Sequence, residues 1–206
     1  MTTPKFHTKT PIHIFPGSGK TIGICSIDVA ISKNPFCREM SKIKAHVCYK
    51  CYRQKVRGGK RMQAKLIENY DLLSETLLDD ADIPVIYQDV CIINRVGDLV
   101  NRTHLENIIQ IAKKNPHCVF MLSTKRIDIV SPIRSFMPGN IRVIYSNIFE
   151  DTPISTKRAG FDGVHNIITP MFVATHPTIT INCTTKCRLC MRCFKPNSDI
   201  INELVS

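Results

Sequence analysis

Apolar positions along the 206-residue chain alternate between a helical and a strand-like rhythm. From about 59 to 79, Met62, Leu66, Tyr70, Leu73 and Leu77 recur every three or four residues, which predicts an amphipathic helix. The run IPVIYQDVCIINRVGD then reads as a buried strand that breaks at Gly97. THLE, from Thr103 to Glu106, has the form of a capping box and predicts a helix with Leu105, Ile108, Ile109 and Ala112 on one face, stopped at Asn115-Pro116. HCVFMLST at 117–124 and IRVIYSN at 141–147 predict two further strands, separated by KRIDIVSPIRSF, a shorter helix candidate broken at Pro132. Short strands are predicted at Val164–Ile168 and at Thr178–Asn182.

Strands that alternate with helices specify βα units, hence an α/β fold whose mainly parallel sheet is open or a partial (β/α) barrel. The length suits one domain, 1–206, with a cysteine-rich basic segment at 15–58, a βα core at 59–182 and a cysteine-rich tail at 183–206. Reactive groups in such folds collect where strands end, because the loops there vary while the sheet holds them. Gly97 and Asp98, Ser123 and Lys125, and Asn147 each follow an apolar run and are the candidates for binding a cofactor or substrate.

The formal charge of +11 is uneven. Between Lys33 and Lys65 eleven Lys or Arg face one acid, Glu39, and Cys183–Pro196 adds four cations and no acid. The remainder of the chain is net negative. Positive charge at the two cysteine-rich ends would compensate anionic thiolate centres or attract an anionic partner, a nucleotide or nucleic acid. Phe36, Tyr49 and Tyr52 lie in the basic segment and are available for stacking on bases. No run reaches the ~20 apolar residues of a membrane span, and MTTPKFHTKTPIHIFPG lacks the apolar core of a signal peptide. No membrane association is expected, and the chain reads as cytoplasmic; nothing in the sequence sets its oligomeric state.

FPGSGKT at 15–21 resembles a phosphate-binding Walker loop, in which backbone amides, a Lys and a hydroxyl cradle phosphate and magnesium. Ile14 occupies the place of the first glycine, and the TIGICSID that follows is β-branched rather than helical. The segment reads instead as a Pro/Gly turn that leads the chain to Cys25.

Ten cysteines in a chain of this character point to metal rather than disulfides. CTTKCRLCMRC places Cys183, Cys187, Cys190 and Cys193 within eleven residues. Structural zinc usually takes two knuckles with a spacer of a dozen or more residues, whereas a compact run suits a larger inorganic core such as a 4Fe-4S cluster. Cys25, Cys37, Cys48 and Cys51 form a looser second group in which His46 is a possible substitute ligand. One cluster or two, or zinc in their place, are therefore expected. Cys91 and Cys118 sit in apolar runs and read as buried small hydrophobes.

The GKTIG turn before the first cysteine, the CYKCY knuckle with its basic sequel, RVGDLVN, NPHCVFMLSTKR and the cysteine-rich tail together resemble the phage "gene product eighty-eight" family, over about Phe15 to Phe194. That family is distantly similar to radical S-adenosylmethionine (SAM)-like iron-sulfur proteins on partial (β/α) barrels. The resemblance implies that Cys25, Cys37, Cys48 and Cys51 ligate one centre, that Gly97 and Asp98 face the pocket, and that Lys125 and Arg126 mark a strand end. It also implies possible SAM binding, although the N-terminal spacing differs from C-x3-C-x2-C. The expected function is that of an iron-sulfur enzyme acting on a nucleotide, nucleic acid or other anion; the alternative is a non-catalytic zinc protein that binds nucleic acid through its basic segment.

Overall fold

The computed structural model describes residues 11–51, 59–196 and 200–205. Its seven strands are β1 (Phe15–Pro16), β2 (Cys25–Ile27), β3 (Val90–Ile93), β4 (Val119–Thr124), β5 (Ile141–Ser146), β6 (Gly163–Ile168) and β7 (Ile200–Leu204). They lie side by side in chain order. β1 runs antiparallel to β2, and every later pair is parallel. When each parallel strand is laid down next to its predecessor, right-handed crossovers return over the same face of the sheet. One face is thereby covered by helices, and the other is left for different use.

The helices are α1 (Pro35–Met40), α2 (Lys60–Ser74), α3 (Arg102–Lys114), α4 (Ile127–Val130), α5 (Pro170–Thr175) and α6 (Cys187–Cys190). Leu73 of α2 and Leu105, Ile108, Ile111 and Ala112 of α3 pack on Cys91, Ile93, Phe120, Leu122, Val143 and Val164 to form the main core. The alternation of a strand sends the intervening residues to the opposite face. There the end of the tail closes part of the surface, with Phe194 packed among Ile24, Val90 and Ile92. No helix among the described residues is long and apolar enough to cross a membrane.

The elements depart from the sequence reading at four places, each with a local cause. β3 begins only at Val90, because the amide of Ile86 is taken by Asn115 Oδ1 at 2.7 Å rather than by a neighbouring strand. Asn101, not Thr103, caps α3: its side chain accepts from the His104 amide at 2.9 Å. α2 stops at Ser74 because Asn101 takes the Ser74 carbonyl and Asn107 takes those of Leu73 and Thr76. Thr178–Asn182 is not a strand, since the amides of Asn182 and Cys183 share the single carbonyl of Asn202 and build no ladder. The last strand is Ile200–Leu204 instead. The sheet thus draws β1 and β2 from the segment 15–58 and β7 from the tail.

Candidate functional site

Three of the four N-terminal cysteines meet in the connection that leaves the C-terminal end of β2. Asn34 caps α1 by accepting from the Cys37 amide, while its Nδ2 donates to the Asp98 carbonyl at 2.8 Å, which fixes Cys37 beside the end of β3. Cys48 and Cys51 lie in and after the 3-10 turn Val47–Lys50. The Val47 amide donates to the Ile148 carbonyl at 2.9 Å and Lys50 pairs with Glu150 at 2.6 Å, so this turn is tied to the loop after β5. Burial pushes the Cys37 thiol well up, with Asp98 and Cys48 adding to it and Lys125 opposing. Burial likewise raises Cys48 to about 11, against the pull of Lys125. Cys37, Cys48, Cys51, Asp98 and Lys125 therefore share one neighbourhood at the C-terminal strand ends.

Cys25 is elsewhere. It begins β2, pairs in register with Cys91, and its thiol donates to the Val90 carbonyl at 3.6 Å. Its charged neighbour is Asp89, just before β3, at the opposite strand ends. The N-terminal group is thus drawn together as three thiols rather than four. Cys91 and Cys118 are fully buried in the core.

His46 caps the turn that carries Cys48, with its ring edge-on to Phe36 at 6.5 Å. Its Nδ1 accepts from the Cys48 amide at 3.0 Å, so the neutral ring carries its proton on Nε2. That Nε2 is buried without a hydrogen-bond partner. It faces its surroundings as a donor, not as the lone pair a metal ligand needs.

Asp98 is buried, and its carboxylate accepts from the Leu99 amide at 2.8 Å, Thr124 Oγ1 at 2.5 Å and the Lys125 amide at 3.2 Å. It pins the end of β3 to the end of β4. Gly97 has φ +89°, and a Cβ there would lie 2.7 Å from Val29 Cγ2. Asn147 uses its amide on the Thr152 carbonyl and on Asn166, shaping the loop after β5. Arg126 is held by the carbonyls of Leu99 and Val100 and by Asp128. These four residues build the strand ends, while Ser123 faces an open space described below.

The tail cysteines converge on the other face of the sheet. Burial, followed by the neighbouring thiols Cys187, Cys183 and Cys190, raises Cys193 to about 12. Burial and then Glu203 raise Cys183 to about 11, against Lys20. Lys20 Nζ reaches Glu203 at 2.6 Å and the Cys183 carbonyl at 3.4 Å, and His165 Nε2 holds the other oxygen of Glu203 at 3.1 Å. The residues Gly19–Thr21 form a 3-10 turn after an antiparallel strand, not the strand-to-helix passage of a Walker loop. Among the described residues, no three His, Cys, Asp or Glu side chains converge as a single metal ion requires. A polynuclear cluster holds its thiolates further apart than the roughly 3.8 Å set by tetrahedral Zn–S bonds of about 2.3 Å.

A cavity of about 480 Å³ opens on this same face. Ile92, Met121, Ile144 and Ile201 give it an apolar floor; Lys20, Arg95, Asn94 and Ser123 give it polar walls. Cys183, Cys187 and Cys193 form one side. The sequence reading missed Asn94, because an asparagine that ends a strand run looks like any turn residue. Its signal is structural: it is 6% exposed, has φ 61°, and neither side-chain polar atom has a partner.

In the basic segment, Lys33 pairs with Asp71, Lys42 with Glu39 and Lys50 with Glu150. Phe36 carries the Arg126 guanidinium over its ring at 5.1 Å, and Tyr49 is exposed. Arg53, Lys55, Arg57 and Tyr52 lie outside the described residues.

The family model described as gene product 88 matches residues 16–158. That span contains the three-thiol connection, the Lys20 turn and Asn94, and ends before the tail cysteines. No curated protein and no solved structure matches the chain.

Proposed function

The chain belongs to the phage gene product 88 family, and from that premise and its geometry we propose that it is an iron-sulfur protein of radical SAM-like architecture, an enzyme acting on a nucleotide, nucleic acid or other anion. The observation that carries this reading is the gathering of Cys37, Cys48 and Cys51 in one connection after the first parallel strand. Their spacing is C-x10-C-x2-C once Cys25 is set apart. Parallel strands in sequential order are the topology of a partial (β/α) barrel, and the end where these thiols sit is where such folds place chemistry. Three thiolates on a 4Fe-4S cluster leave one iron free to bind a ligand such as SAM and supply one-electron chemistry to it. The four tail thiols would close a second cluster. His46 Nε2–H would donate to the first centre, and Lys125 would offset its negative charge, in keeping with the way outer groups tune such sites.

The test is iron, acid-labile sulfide and a visible spectrum on protein purified without oxygen. Iron and sulfide in roughly equal amounts are expected, lowered by Cys37→Ser, Cys48→Ser or Cys51→Ser and unchanged by Cys25→Ser. Zinc without sulfide would overturn the reading in favour of a zinc protein that binds nucleic acid through its basic segment. Metal lost on Cys25→Ser would overturn the three-thiol assignment.

A further inference from the structure

Among the described residues seven asparagines are buried, and six of them, Asn34, Asn69, Asn107, Asn115, Asn147 and Asn166, hydrogen-bond to backbone or side-chain groups. Asn94 breaks the pattern. Its whole carboxamide is buried, unpartnered and on the wall of the 480 Å³ cavity, within the size range of small-molecule sites. A buried amide left without partners destabilises the fold, and non-glycine residues held at positive φ cluster at ligand sites. A ligand that supplies an adjacent donor and acceptor would satisfy both atoms at once.

We propose that this cavity binds a purine nucleotide, with the adenine edge on Asn94 and the phosphate between Lys20 and Arg95. Asparagine pairs with adenine through its amide nitrogen and oxygen together, the pattern by which adenine is read elsewhere. The apolar floor of Ile92, Met121 and Ile144 suits the flat face of a base. At the other end, Arg95 Nη1 reaches Thr21 Oγ1 at 3.2 Å, while its Nε is ion-paired with the buried Asp28 carboxylate at 3.6 Å, which fixes the guanidinium on the cavity wall. Lys20 is held by a carboxylate that His165 also holds, so it can turn to a phosphate without leaving Glu203 unpaired. The GSGKT turn would then contribute its lysine to phosphate without the Walker fold. This names the substrate class of the reading above and rests on that reading only for the nucleotide being a substrate.

The experiment is equilibrium dialysis of the full chain, purified anaerobically, against AMP, adenosine and inorganic phosphate, with iron and sulfide measured on the same samples. AMP is expected to bind saturably and more tightly than adenosine. Asn94→Asp, which keeps a residue tolerant of positive φ but loses the donor, should weaken both ligands about tenfold or more. Lys20→Met, at an exposed position that leaves the fold intact, should weaken AMP about tenfold and leave adenosine unchanged. Absence of saturable AMP binding at millimolar concentration overturns the proposal, as does AMP binding that neither variant alters. AMP binding by protein without iron would uphold the cavity and sink the cluster; iron and sulfide without AMP binding would do the reverse.

Discussion

Asn107 donates to the carbonyls of Leu73 and Thr76 and accepts from the Leu78 amide, and Asn115 serves the Pro84 carbonyl and the Ile86 amide in the same way. Short amide side chains here replace the backbone partners that loops lack, which lets irregular segments be buried without orphaned groups. His104, in the same helix as Asn107, is fully buried, accepts from the Val100 amide through Nδ1, and has no partner for Nε2. Burial lowers its pKa from 6.5 to about 3. The unfolded chain therefore takes up a proton below 6.5 that the folded chain refuses until about 3. Stability from this group is complete above 6.5 and is lost as pH falls through that window. At about pH 5 the loss is about 2 kcal/mol. Urea unfolding at pH 8 and pH 5 should show wild type losing about that much more than His104→Gln; equal losses would refute the assignment.

Gly97 sits in the turn that joins β3 to α3, where Val29 approaches it closely. Its positive φ and the approach of Val29 leave no room for a side chain. Gly97→Ala should cost about 2–4 kcal/mol, read as a lowered thermal midpoint, and a variant as stable as wild type would show that the turn relaxes freely. Periodicity made β4, β5, β6 and α3 legible, because their apolar residues repeat at the strand or helix period over whole elements. β7 was not legible: IINEL carries two polar residues in five and owes its place to pairing with β6, each residue with the one 36 positions earlier. The strand-end positions were read as a polar mouth; in the structure Asp98 and Asn147 bond there to neighbouring backbone and side-chain groups. Asn94, three residues earlier than Gly97, holds the unsatisfied amide. Spacing lists polar residues at a strand end but does not tell which of them already has a partner.

The two cysteine groups occupy different parts of the molecule. One lies in the loop after β2 at the C-terminal strand ends, and the other lies against the face that carries the cavity. The four tail cysteines lie near one another, because four residues within an eleven-residue run cannot spread far. Sequence grouping placed Cys25 with Cys37, Cys48 and Cys51, whereas Cys25 begins β2 beside Asp89 and the others follow the far end of that strand, a separation that counting along the chain does not register. Local cations sit near each group, Lys125 at the first and Lys20 at the second, which distributes charge compensation rather than concentrating it. Two centres built from separate ligands should be lost separately. If each group holds one 4Fe-4S cluster, Cys48→Ser and Cys190→Ser should each remove about half of the iron and sulfide, and the double variant nearly all of it. The Cys48→Ser protein should also lose any change in its electron paramagnetic resonance spectrum on adding SAM, because a cluster held by three thiolates would be the one with an open iron. Cys190→Ser should keep that response. Loss of all iron from either single variant would mean one shared centre, and would contradict the placement of the two groups on different parts of the sheet.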